Sequence, residues 1–318
     1  MSTNHEFDLI VLGAGTGGNG VARMAVQAGW NVASVDPLPY GGTCALRGCD
    51  PKKMLVAVTE GVDWVNNLKG KGLEADVSVN WPDMIAFKRT FTDVMPPRIE
   101  AGLKNAGITT LHGEARFTGP DTIEINGQLL RSLNFHIATG ARPMTLNIPG
   151  EDLLTTSTDF LALPEKPQRI AFVGGGFIAM EFAHIANRAG AAEVTVLEMM
   201  KRPLGNFDPD LVNLLVEATE DLGIDLKTEA KVLSIEESGK TFVVTYESPS
   251  GKEQIICDLV VHATGRVPNI DGLNLKAANV DFGPRGIKVS PYMRTTNPAI
   301  FAAGDCADSG PNLTPVSA

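Results

Sequence analysis

Short runs of apolar residues alternate with helix-like stretches at the N-terminal end of this chain. Residues 8–12 form an apolar run typical of a buried parallel strand, and glycines follow it immediately. The pattern then predicts a helix from Gly17 to Ala28 and a second strand from Asn31 to Val35, which ends at Asp36. This order predicts a strand–helix–strand unit.

The same order returns in the second half of the chain. The proline-containing stretch 164–167 predicts a linker. After it, the pattern predicts a strand at 170–173 and a helix from Gly176 to Ala189. A further strand at 193–197 ends at Glu198. The chain therefore predicts two strand–helix–strand units of the same design.

The segments around these two units carry weaker patterns. One helix is predicted from about residue 44 to beyond residue 68, and another at 82–105. Short alternating runs at 115–131 predict a small antiparallel meander, which a buried strand at 133–138 follows. Residues 224–263 predict a second set of strands and turns. Each set leads to the letters Ala-Thr-Gly, so the internal duplication extends beyond the two units.

Composition and charge exclude several classes of function. The chain has 318 residues, a net charge of −10 and 43% hydrophobic residues. Because a nucleic-acid-binding protein needs a basic surface, no nucleic-acid partner is expected. The longest apolar stretch, 170–186, contains Glu181, His184 and three consecutive glycines, so no membrane span is expected.

The cysteines and the N-terminal residues favour a cytoplasmic protein. Residues 1–6 lead directly into an apolar strand and show no signal-peptide pattern. Four cysteines in a chain of this length do not make a secreted disulfide scaffold. In the cytoplasm a close cysteine pair is more often catalytic or metal-binding than structural. The histidines match no motif, and no metal site is predicted.

Residues 13–18, Gly-Ala-Gly-Thr-Gly-Gly, form the first of two dinucleotide fingerprints. Such glycines permit a tight turn and let the backbone approach a diphosphate, while the following helix N-terminus supplies N–H donors. Gly13, Gly15 and Gly18 occupy the fingerprint positions, and Asp36 is the acid expected to bind a ribose. Because the motif lies between a strand and a helix, it predicts dinucleotide binding.

Residues 174–179, Gly-Gly-Gly-Phe-Ile-Ala, form the second fingerprint, with Glu198 as its acid. An alanine replaces the third glycine, which the motif allows. A carboxylate at this strand end disfavours a 2′-phosphate, so NADH is expected rather than NADPH. Lys201 and Arg202 follow closely and would suit a 2′-phosphate, which leaves NADPH as the alternative.

Two cysteines in the segment 41–53, GGTCALRGCDPKK, are the most informative feature of the chain. Cys44 and Cys49 are spaced C-x4-C, and two thiols this close can cycle between disulfide and dithiol. The thiolate is the reactive form, and a helix N-terminus favours it. Gly48 relieves crowding, because positions five apart on a regular helix do not face each other. The segment predicts a redox-active pair.

This segment and the two fingerprints resemble the flavin-dependent pyridine nucleotide–disulfide oxidoreductases of the glutathione reductase, dihydrolipoyl dehydrogenase and mercuric reductase group. Further matching stretches are IATGARP at 137–143, GGGFIAMEFA at 174–183, ATGRVPN at 263–269 and TTNPAIFAAGD at 295–305. The resemblance implies an enzyme that uses FAD and NAD(P)H to reduce a small disulfide substrate. It also implies an α/β fold with two Rossmann-like dinucleotide-binding domains, for FAD and NAD, each with a small antiparallel meander.

The resemblance divides the chain by function. Residues 1–150 would form the first part of the FAD-binding domain, and residues 151–270 the NAD(P)-binding domain. The return segment 271–318 would complete the FAD-binding domain. Members of the group are homodimers whose C-terminal dimerisation domain carries a His/Glu pair that serves the partner's dithiol. Because this chain ends at residues 313–318, which look like the start of the next helix, we expect that domain to be absent and substrate turnover to be impaired.

The resemblance also implies a role for each catalytic residue. Cys49 would be the thiol that faces the flavin, and Cys44 the interchange thiol that attacks the substrate. Lys52 and Glu181 would form an ion pair beside the flavin ring. Phe177 would be the aromatic gate over the flavin face where the nicotinamide docks.

The cofactor-binding set follows from the fingerprints and the matching stretches. Asp305 would bind the ribityl chain of the flavin. The full set is Gly13, Gly15, Gly18, Asp36, Gly42, Thr43, Lys53, Thr139, Gly140, Gly174, Gly176, Phe177, Ile178, Glu198, Gly265, Arg266, Gly304 and Asp305.

One residue of the redox segment departs from the pattern of the group. Asp50 follows Cys49 where the group usually has an apolar residue. A negative charge at this position disfavours the neighbouring thiolate, so we expect a weaker contact between that thiolate and the flavin.

Other interpretations of the chain lead to different functions. A low-molecular-weight thioredoxin reductase is rejected, because its cysteines form CxxC in the NAD domain, where this chain has only Cys257. A flavin-binding NADH diaphorase, or a non-catalytic redox sensor or fragment, remains the alternative. The disulfide substrate stays open among glutathione, a dihydrolipoyl group, mercuric ion and another small disulfide. Mercuric ion is less favoured because the extra cysteines it needs are absent.

Overall fold

The computed structural model describes residues 6–310, so the predictions for residues 1–5 and 313–318 lie outside the described residues. The helices are α1 (Thr16–Gln27), α2 (Gly42–Arg47), α3 (Cys49–Leu68), α4 (Trp81–Thr92), α5 (Met95–Asn105), α6 (Ser157–Phe160), α7 (Phe177–Arg188) and α8 (Pro209–Asp221). The strands are β1 (Phe7–Leu12), β2 (Val32–Asp36), β3 (Thr109–His112), β4 (Ala115–Gly119), β5 (Thr122–Ile125), β6 (Gln128–Ile137), β7 (Ala141–Pro143), β8 (Arg169–Val173), β9 (Glu193–Leu197), β10 (Asp225–Lys227), β11 (Lys231–Ser238), β12 (Thr241–Ser248), β13 (Gly251–Cys257), β14 (Leu259–His262), β15 (Arg266–Pro268), β16 (Phe282–Gly283), β17 (Gly286–Ile287) and β18 (Ile300–Ala302).

The first of two compact units contains the described residues up to 50, 91–142 and those from 266 onward. Its main sheet has the order β3-β2-β1-β6-β5-β4, with β18 paired to β6. The pairs β1/β2, β1/β6, β2/β3 and β6/β18 are parallel, and β5 is antiparallel to both its neighbours. Strand β18 of the return segment thus joins the sheet that contains β1. The fully buried run Ile10–Leu12 explains why β1 lies inside this sheet.

The strand β6 corrects the prediction that a meander ends near 131 and a new strand starts at 133. It is one continuous strand with two different partners. Leu130 pairs antiparallel with Ile123 of β5, whereas Asn134 pairs parallel with Leu9 of β1. The change from alternating to continuous burial along β6 reflects this change of partner, not a break in the chain.

The second compact unit contains residues 51–90 and 143–265. Its four-stranded parallel sheet has the order β10-β9-β8-β14, and β11-β12-β13 form an antiparallel meander. Helix α7 buries its apolar face in the core of this unit, together with residues of α3, α4 and the parallel strands. The fold class predicted from the sequence, an α/β fold with two Rossmann-like units that each carry a meander, is confirmed. The functional division of the chain at residues 150 and 270 stays a prediction.

Two predicted helices are each split in the structure. The helix predicted to run beyond 68 ends at Leu68 and is interrupted at Gly48, whose φ of −149° and ψ of −108° are not helical. The helix predicted at 82–105 is interrupted between α4 and α5. The second break has a local cause, because two prolines follow Met95 in the first turn of α5, where their missing N–H groups suit a helix start.

Helix α8 follows the second fingerprint and was not predicted. Its start has a clear local signal, since Asp208 precedes Pro209 and its carboxylate accepts hydrogen bonds from the backbone N–H groups of Asp210 and Leu211. Among residues 6–310, no helix is both long enough and apolar enough to cross a membrane. The same residues contain no cluster of three or more His, Cys, Asp or Glu side chains arranged to hold a metal ion.

Candidate active site

The turn between β1 and α1 requires glycine at two positions. Gly13 has a φ of +107°, and a Cβ added there would lie 2.2 Å from the carbonyl oxygen of Ala138. A Cβ on Gly18 would lie 2.0 Å from the carbonyl oxygen of Gly13. Among residues 6–310 no side chain caps the N-terminus of α1, so its first backbone N–H groups are available to a bound group. The turn is shaped for close approach of an anionic group.

The redox segment packs directly against this turn. Gly42 has a φ of +67°, and a Cβ there would lie 2.5 Å from the Cα of Gly15. This close approach places the start of α2, with Thr43 and Cys44, beside the first fingerprint. The fingerprint and the cysteine segment, which are separate motifs in the sequence, therefore form one site within the first unit.

Asp36 is fixed at the end of β2 by two backbone amides. Its Oδ2 accepts from the N–H of Ala14 at 2.8 Å, and its Oδ1 accepts from the N–H of Leu38 at 2.9 Å. The residue is buried, with 7% of its surface exposed. A carboxylate held in this way is oriented for hydrogen bonds to a ribose, the role predicted for it.

A cavity of about 650 Å³ joins these parts of the first unit, and its size lies within the range of cofactor sites. The predicted residues that line it are Gly13, Gly15, Asp36, Gly42, Thr43, Cys44, Cys49, Thr139, Gly140, Gly304 and Asp305. Gly18 does not line the cavity but allows the close packing of α1 against the turn. Lys53 is exposed on α3, and its role stays a prediction.

The two cysteines lie on either side of the helix break at Gly48. Cys44 belongs to α2 and Cys49 begins α3, and both are partly buried and line the cavity. Cys49 occupies the first turn of a 20-residue helix. Asp50 lies in the same turn, and its effect on the contact between Cys49 and the flavin stays a prediction. The break explains how a C-x4-C spacing brings both side chains to one cavity.

The segments 139–142 and 266–271 meet in the first unit. The hydroxyl of Thr139 donates to the carbonyl oxygen of Asn269 at 2.7 Å, and the N–H of Asn269 donates to the carbonyl oxygen of Gly140 at 2.9 Å. The guanidinium of Arg266 donates to the carbonyl oxygen of Ala141. These bonds shape one wall of the cavity. Gly265, just before this segment, has a φ of +116°.

In the second unit, Lys52, Glu181 and Phe177 lie together. The Lys52 ammonium contacts the Glu181 carboxylate as an ion pair. The same ammonium lies 5.7 Å from the centroid of the Phe177 ring, within the distance of a cation–π contact. Half of the Phe177 surface is exposed. The structure thus brings together three residues that the resemblance had grouped around the flavin ring.

The second fingerprint repeats the architecture of the first. Gly174 has a φ of +100°, and a Cβ there would lie 2.5 Å from the carbonyl oxygen of Ala263. Glu198 is buried, and its carboxylate accepts from the N–H of Gly175 at 2.6 Å and from the N–H of Met200 at 2.7 Å. Gly176 precedes α7 as its N-cap, followed by Phe177 and then Ile178. The carboxylate is therefore fixed where a ribose is expected.

The basic residues behind Glu198 were predicted as an alternative site for a 2′-phosphate. The guanidinium of Arg202 donates to the carbonyl oxygens of Gly205 and Phe207, at 3.1 and 3.3 Å, and is thus bonded within its own loop. Lys201 is exposed. The choice between NADH and NADPH stays a prediction.

The other two cysteines are buried far from solvent. Burial raises the pKa of the Cys257 thiol to about 11. Burial also raises the pKa of Cys306, which is fully buried. Both thiols stay protonated at neutral pH, which agrees with the expectation that they are small core residues.

Residues that the sequence interpretation did not single out also line the cavity. They are Arg47, Glu114, Arg116, Glu124 and Asn126, among others. Arg47 had a local signal, because it lies inside the cysteine motif four positions after Thr43. The remaining four belong to the meander around β4 and β5, which reaches the cavity only through sheet pairing. No local pattern predicts that.

Two dinucleotide-binding folds, one of which holds a C-x4-C cysteine pair at its cavity, define a flavoprotein of the disulfide reductase class. Residues 7–318 match the family described as pyridine nucleotide-disulphide oxidoreductase, and the chain belongs to this family. The cofactors of the family are FAD and NAD(P)H. The glycine turns of both units fit dinucleotides, and the cavity of the first unit fits one of them.

Curated relatives support this assignment along nearly the whole chain. A glutathione reductase of Burkholderia cepacia is 36% identical over 315 residues, which cover 98% of this chain and 69% of the relative. A mercuric reductase of Staphylococcus aureus is 34% identical over 319 residues, which cover 98% of this chain and 58% of the relative. The chain therefore spans roughly three fifths to two thirds of the length of these relatives.

A solved structure shows the same fold. The HOCl-induced flavoprotein disulfide reductase RclA from Escherichia coli, determined as a Cu(II) complex, superposes with a TM-score of 0.87 at 25% identity. The match covers 99% of this chain and 69% of that protein.

Proposed function

We propose that this chain passes an electron pair from NADH through FAD to the Cys44–Cys49 pair and then to a small disulfide. The observation that carries the proposal is the cavity that both cysteines share with the first dinucleotide fingerprint. Core packing does not require two cysteines beside a dinucleotide-binding turn. Electron transfer from a bound dinucleotide to a disulfide does require the two groups to be close.

The second unit is proposed to bind NADH. The open N-terminus of α7 suits the diphosphate, and the fixed Glu198 carboxylate suits the adenosine ribose. The engagement of Arg202 by two carbonyl groups supports NADH rather than NADPH. Phe177, half exposed and held by Lys52, is proposed to cover the position where the nicotinamide docks.

The first unit is proposed to bind FAD. When bound, FAD accepts the hydride of NADH and delivers the electron pair to the disulfide. The N-terminus of α1 and the hydroxyl of Thr43 would hold the diphosphate, Asp36 the ribose and Asp305 the ribityl chain. Lys52 would place a positive charge beside the ring, where negative charge develops on reduction, and Glu181 would orient it.

The cysteines are proposed to carry out a thiol–disulfide exchange. Two electrons and one proton reduce the Cys44–Cys49 disulfide to a Cys44 thiol and a Cys49 thiolate. The Cys44 thiol gives its proton to water and attacks one sulfur of the substrate as a thiolate, a mixed disulfide forms, and one substrate thiolate leaves and is protonated. Cys49 then attacks the Cys44 sulfur, which reforms the protein disulfide and releases the second thiolate. One NADH and one proton are consumed for each substrate disulfide reduced to two thiols.

The substrate is proposed to be a low-molecular-weight disulfide. The relatives named above are a glutathione reductase and a mercuric reductase, so oxidised glutathione is the first compound to test. The described residues hold only Cys257 and Cys306 besides the redox pair, and both are buried. Accessible extra thiols for a soft metal ion are not found there, which favours a disulfide over mercuric ion.

Steady-state oxidation of NADH tests the proposal with two electron acceptors. The parent chain should reduce oxidised glutathione, lipoamide or another small disulfide, and should also reduce ferricyanide. Cys44→Ser should lose disulfide reduction and keep ferricyanide reduction, because only the exchange step needs this thiol. A parent chain that reduces ferricyanide alone would instead be an NADH diaphorase. Equal disulfide reduction by the parent and by Cys44→Ser would contradict the assignment of Cys44.

A further inference from the structure

Arg47 is a charged side chain of the redox segment that faces the cofactor cavity. It ends α2, is partly buried and lines the same cavity as Thr43. Positions four apart lie on one face of a helix, so Thr43 and Arg47 present their side chains to the same side. Neither the fingerprints nor the cysteine pair accounts for an arginine at this position.

The Arg47 guanidinium has no carboxylate within ion-pair distance in the described part of the chain. Asp36 acts on it only at longer range, and both Asp36 oxygens already accept backbone N–H groups. Burial lowers the pKa of Arg47, and Asp36 opposes that effect. An arginine keeps its charge when partly buried, so this site favours the arrival of an anion.

The neighbours of Arg47 indicate which part of a bound dinucleotide lies beside it. Asp36, whose charge acts on Arg47, lines the same cavity and is the residue proposed to bind the adenosine ribose. The charge of Arg47 also acts on Arg266, which interacts in turn with Asp305, another residue that lines the cavity. Asp305 is the residue proposed to bind the ribityl chain. The segment of FAD between ribose and ribityl is the diphosphate.

We propose that the Arg47 guanidinium binds the diphosphate of FAD, together with Thr43 and the N-terminus of α1. The guanidinium presents paired N–H donors that match two phosphate oxygens, and its charge completes a site that otherwise relies on backbone dipoles. This inference rests on the proposed binding of FAD to the first unit. It assigns a cofactor-binding role to a residue between the two cysteines, so the redox segment itself anchors the cofactor.

Affinity measurements on the FAD-free chain test the role of Arg47 without relying on turnover. The dissociation constant for FAD is measured by quenching of flavin fluorescence for the parent, Arg47→Gln, Arg47→Lys and Arg98→Gln. Arg98 is an exposed arginine on α5 outside the cavity and serves as the control. Arg47→Gln should weaken FAD binding about 10- to 100-fold, the effect of losing a charge-assisted hydrogen bond. Arg47→Lys should recover part of the loss, and Arg98→Gln should match the parent.

Competition with ADP and adenosine separates loss of the phosphate contact from general damage to the cavity. Arg47→Gln should weaken the competition by ADP, which carries a diphosphate, and leave the competition by adenosine within about twofold. Unchanged FAD affinity in Arg47→Gln, or an equal loss for ADP and adenosine, would overturn the role of Arg47. A parent chain that binds no FAD would overturn the proposed function itself, and the Arg47 inference with it.

Discussion

The Lys52 ammonium pairs with the Glu181 carboxylate although 129 positions separate the two residues along the chain. Lys52 lies on α3, three residues after Cys49, and Glu181 lies on α7, in the helix that follows the second fingerprint. The ion pair therefore ties the helix of the redox segment to the helix of the nucleotide-binding turn within the second unit. It also places the ammonium beside the Phe177 ring.

Removal of the Glu181 charge should slow reduction of the flavin by NADH. In Glu181→Gln the ammonium of Lys52 loses its orienting partner, and we expect the rate to fall roughly tenfold, as for loss of one charge-assisted hydrogen bond. Anaerobic stopped-flow absorbance measures this rate. Glu60→Gln changes an exposed carboxylate on the same helix α3 and should leave it unchanged. A rate in Glu181→Gln equal to that of the control would contradict a role of this ion pair in flavin reduction.

Two glycines of α1 should respond in opposite ways to alanine. A Cβ at Gly18 would overlap the Gly13 carbonyl oxygen at 2.0 Å, whereas a Cβ at Gly20 meets no atom within 4 Å. Gly18→Ala should lower the free energy of unfolding by roughly 1–3 kcal/mol and weaken FAD binding. Gly20→Ala should raise the free energy of unfolding by up to about 1 kcal/mol, because alanine favours a helix interior. Urea denaturation with and without FAD measures the free energy of unfolding of both variants. An equal change in this free energy in the two variants would contradict the close contact between Gly18 and the Gly13 carbonyl oxygen.

The destabilising effect of an added methyl group is expected at the first fingerprint and not at the second. Its third position is Ala179, which is fully buried, so a methyl group fits at the corresponding place in α7. The two turns have the same architecture but differ in how closely the helix approaches the strand.

The fixed carboxylate of Glu198 should make the chain prefer NADH. In Glu198→Gln the ribose loses a charged acceptor, and we expect kcat/KM for NADH to fall about tenfold while kcat/KM for NADPH falls less. The ferricyanide assay with each nucleotide gives both values. Glu193→Gln, an exposed carboxylate at the start of β9, is the matched control. A parent chain that prefers NADPH would show that this strand end does not select the nucleotide.

His184 should make the stability of the chain depend on pH. The Thr219 hydroxyl donates to the carbonyl oxygen of Leu215 and so accepts from Nε2 of His184, while Arg188 donates to Nδ1. This neutral imidazole has a pKa lowered to about 4 from the ordinary 6.5, chiefly by burial and then by Arg188, with Asp63 opposing. The unfolded chain takes up a proton near pH 6.5, but the folded chain does so only near pH 4. Stability is therefore lost as the pH falls through this window.

Thermal unfolding between pH 4 and pH 7 tests the contribution of His184. His184→Gln should show a lower Tm at pH 7, because it loses part of the network, and a smaller fall in Tm between pH 6.5 and pH 4. If His184→Gln follows the parent curve, titration of this imidazole does not contribute to the acid sensitivity.

The sequence predicts the parts of the fold that depend on neighbouring residues. The apolar runs at β1, β8 and β9 and the glycines of both turns are local signals, and the structure places them as expected. The segment around Gly48 was wrongly predicted as continuous helix. Gly48 has a non-helical backbone, and a Cβ there would lie 3.1 Å from the carbonyl oxygen of Thr43, a contact that helix propensity does not register. The course of β6 depends on two partner strands, which a local pattern does not contain.

The residues of the candidate site also divide into those with a local sequence signal and those without one. The glycines and Asp36 follow from the fingerprint, and the two cysteines from their spacing. The contact between Lys52 and Glu181 came from the resemblance to a family, since no local rule connects positions so far apart. Arg47 lies four positions after Thr43, which predicts that the two side chains share a helix face, but its proximity to Asp36 and Arg266 is a property of the folded unit alone.

Anaerobic titration of the chain with NADH, followed by visible absorbance, tests electron transfer to the Cys44–Cys49 pair. We expect a flavin spectrum and, after two-electron reduction, a long-wavelength band from the Cys49 thiolate against oxidised flavin. Cys49→Ser should abolish this band. Cys44→Ser has no disulfide to accept electrons, so it should show the band before NADH is added and lose it when NADH reduces the flavin. A chain without flavin, or one whose flavin is bleached by NADH with no such band, would contradict electron transfer to the Cys44–Cys49 pair.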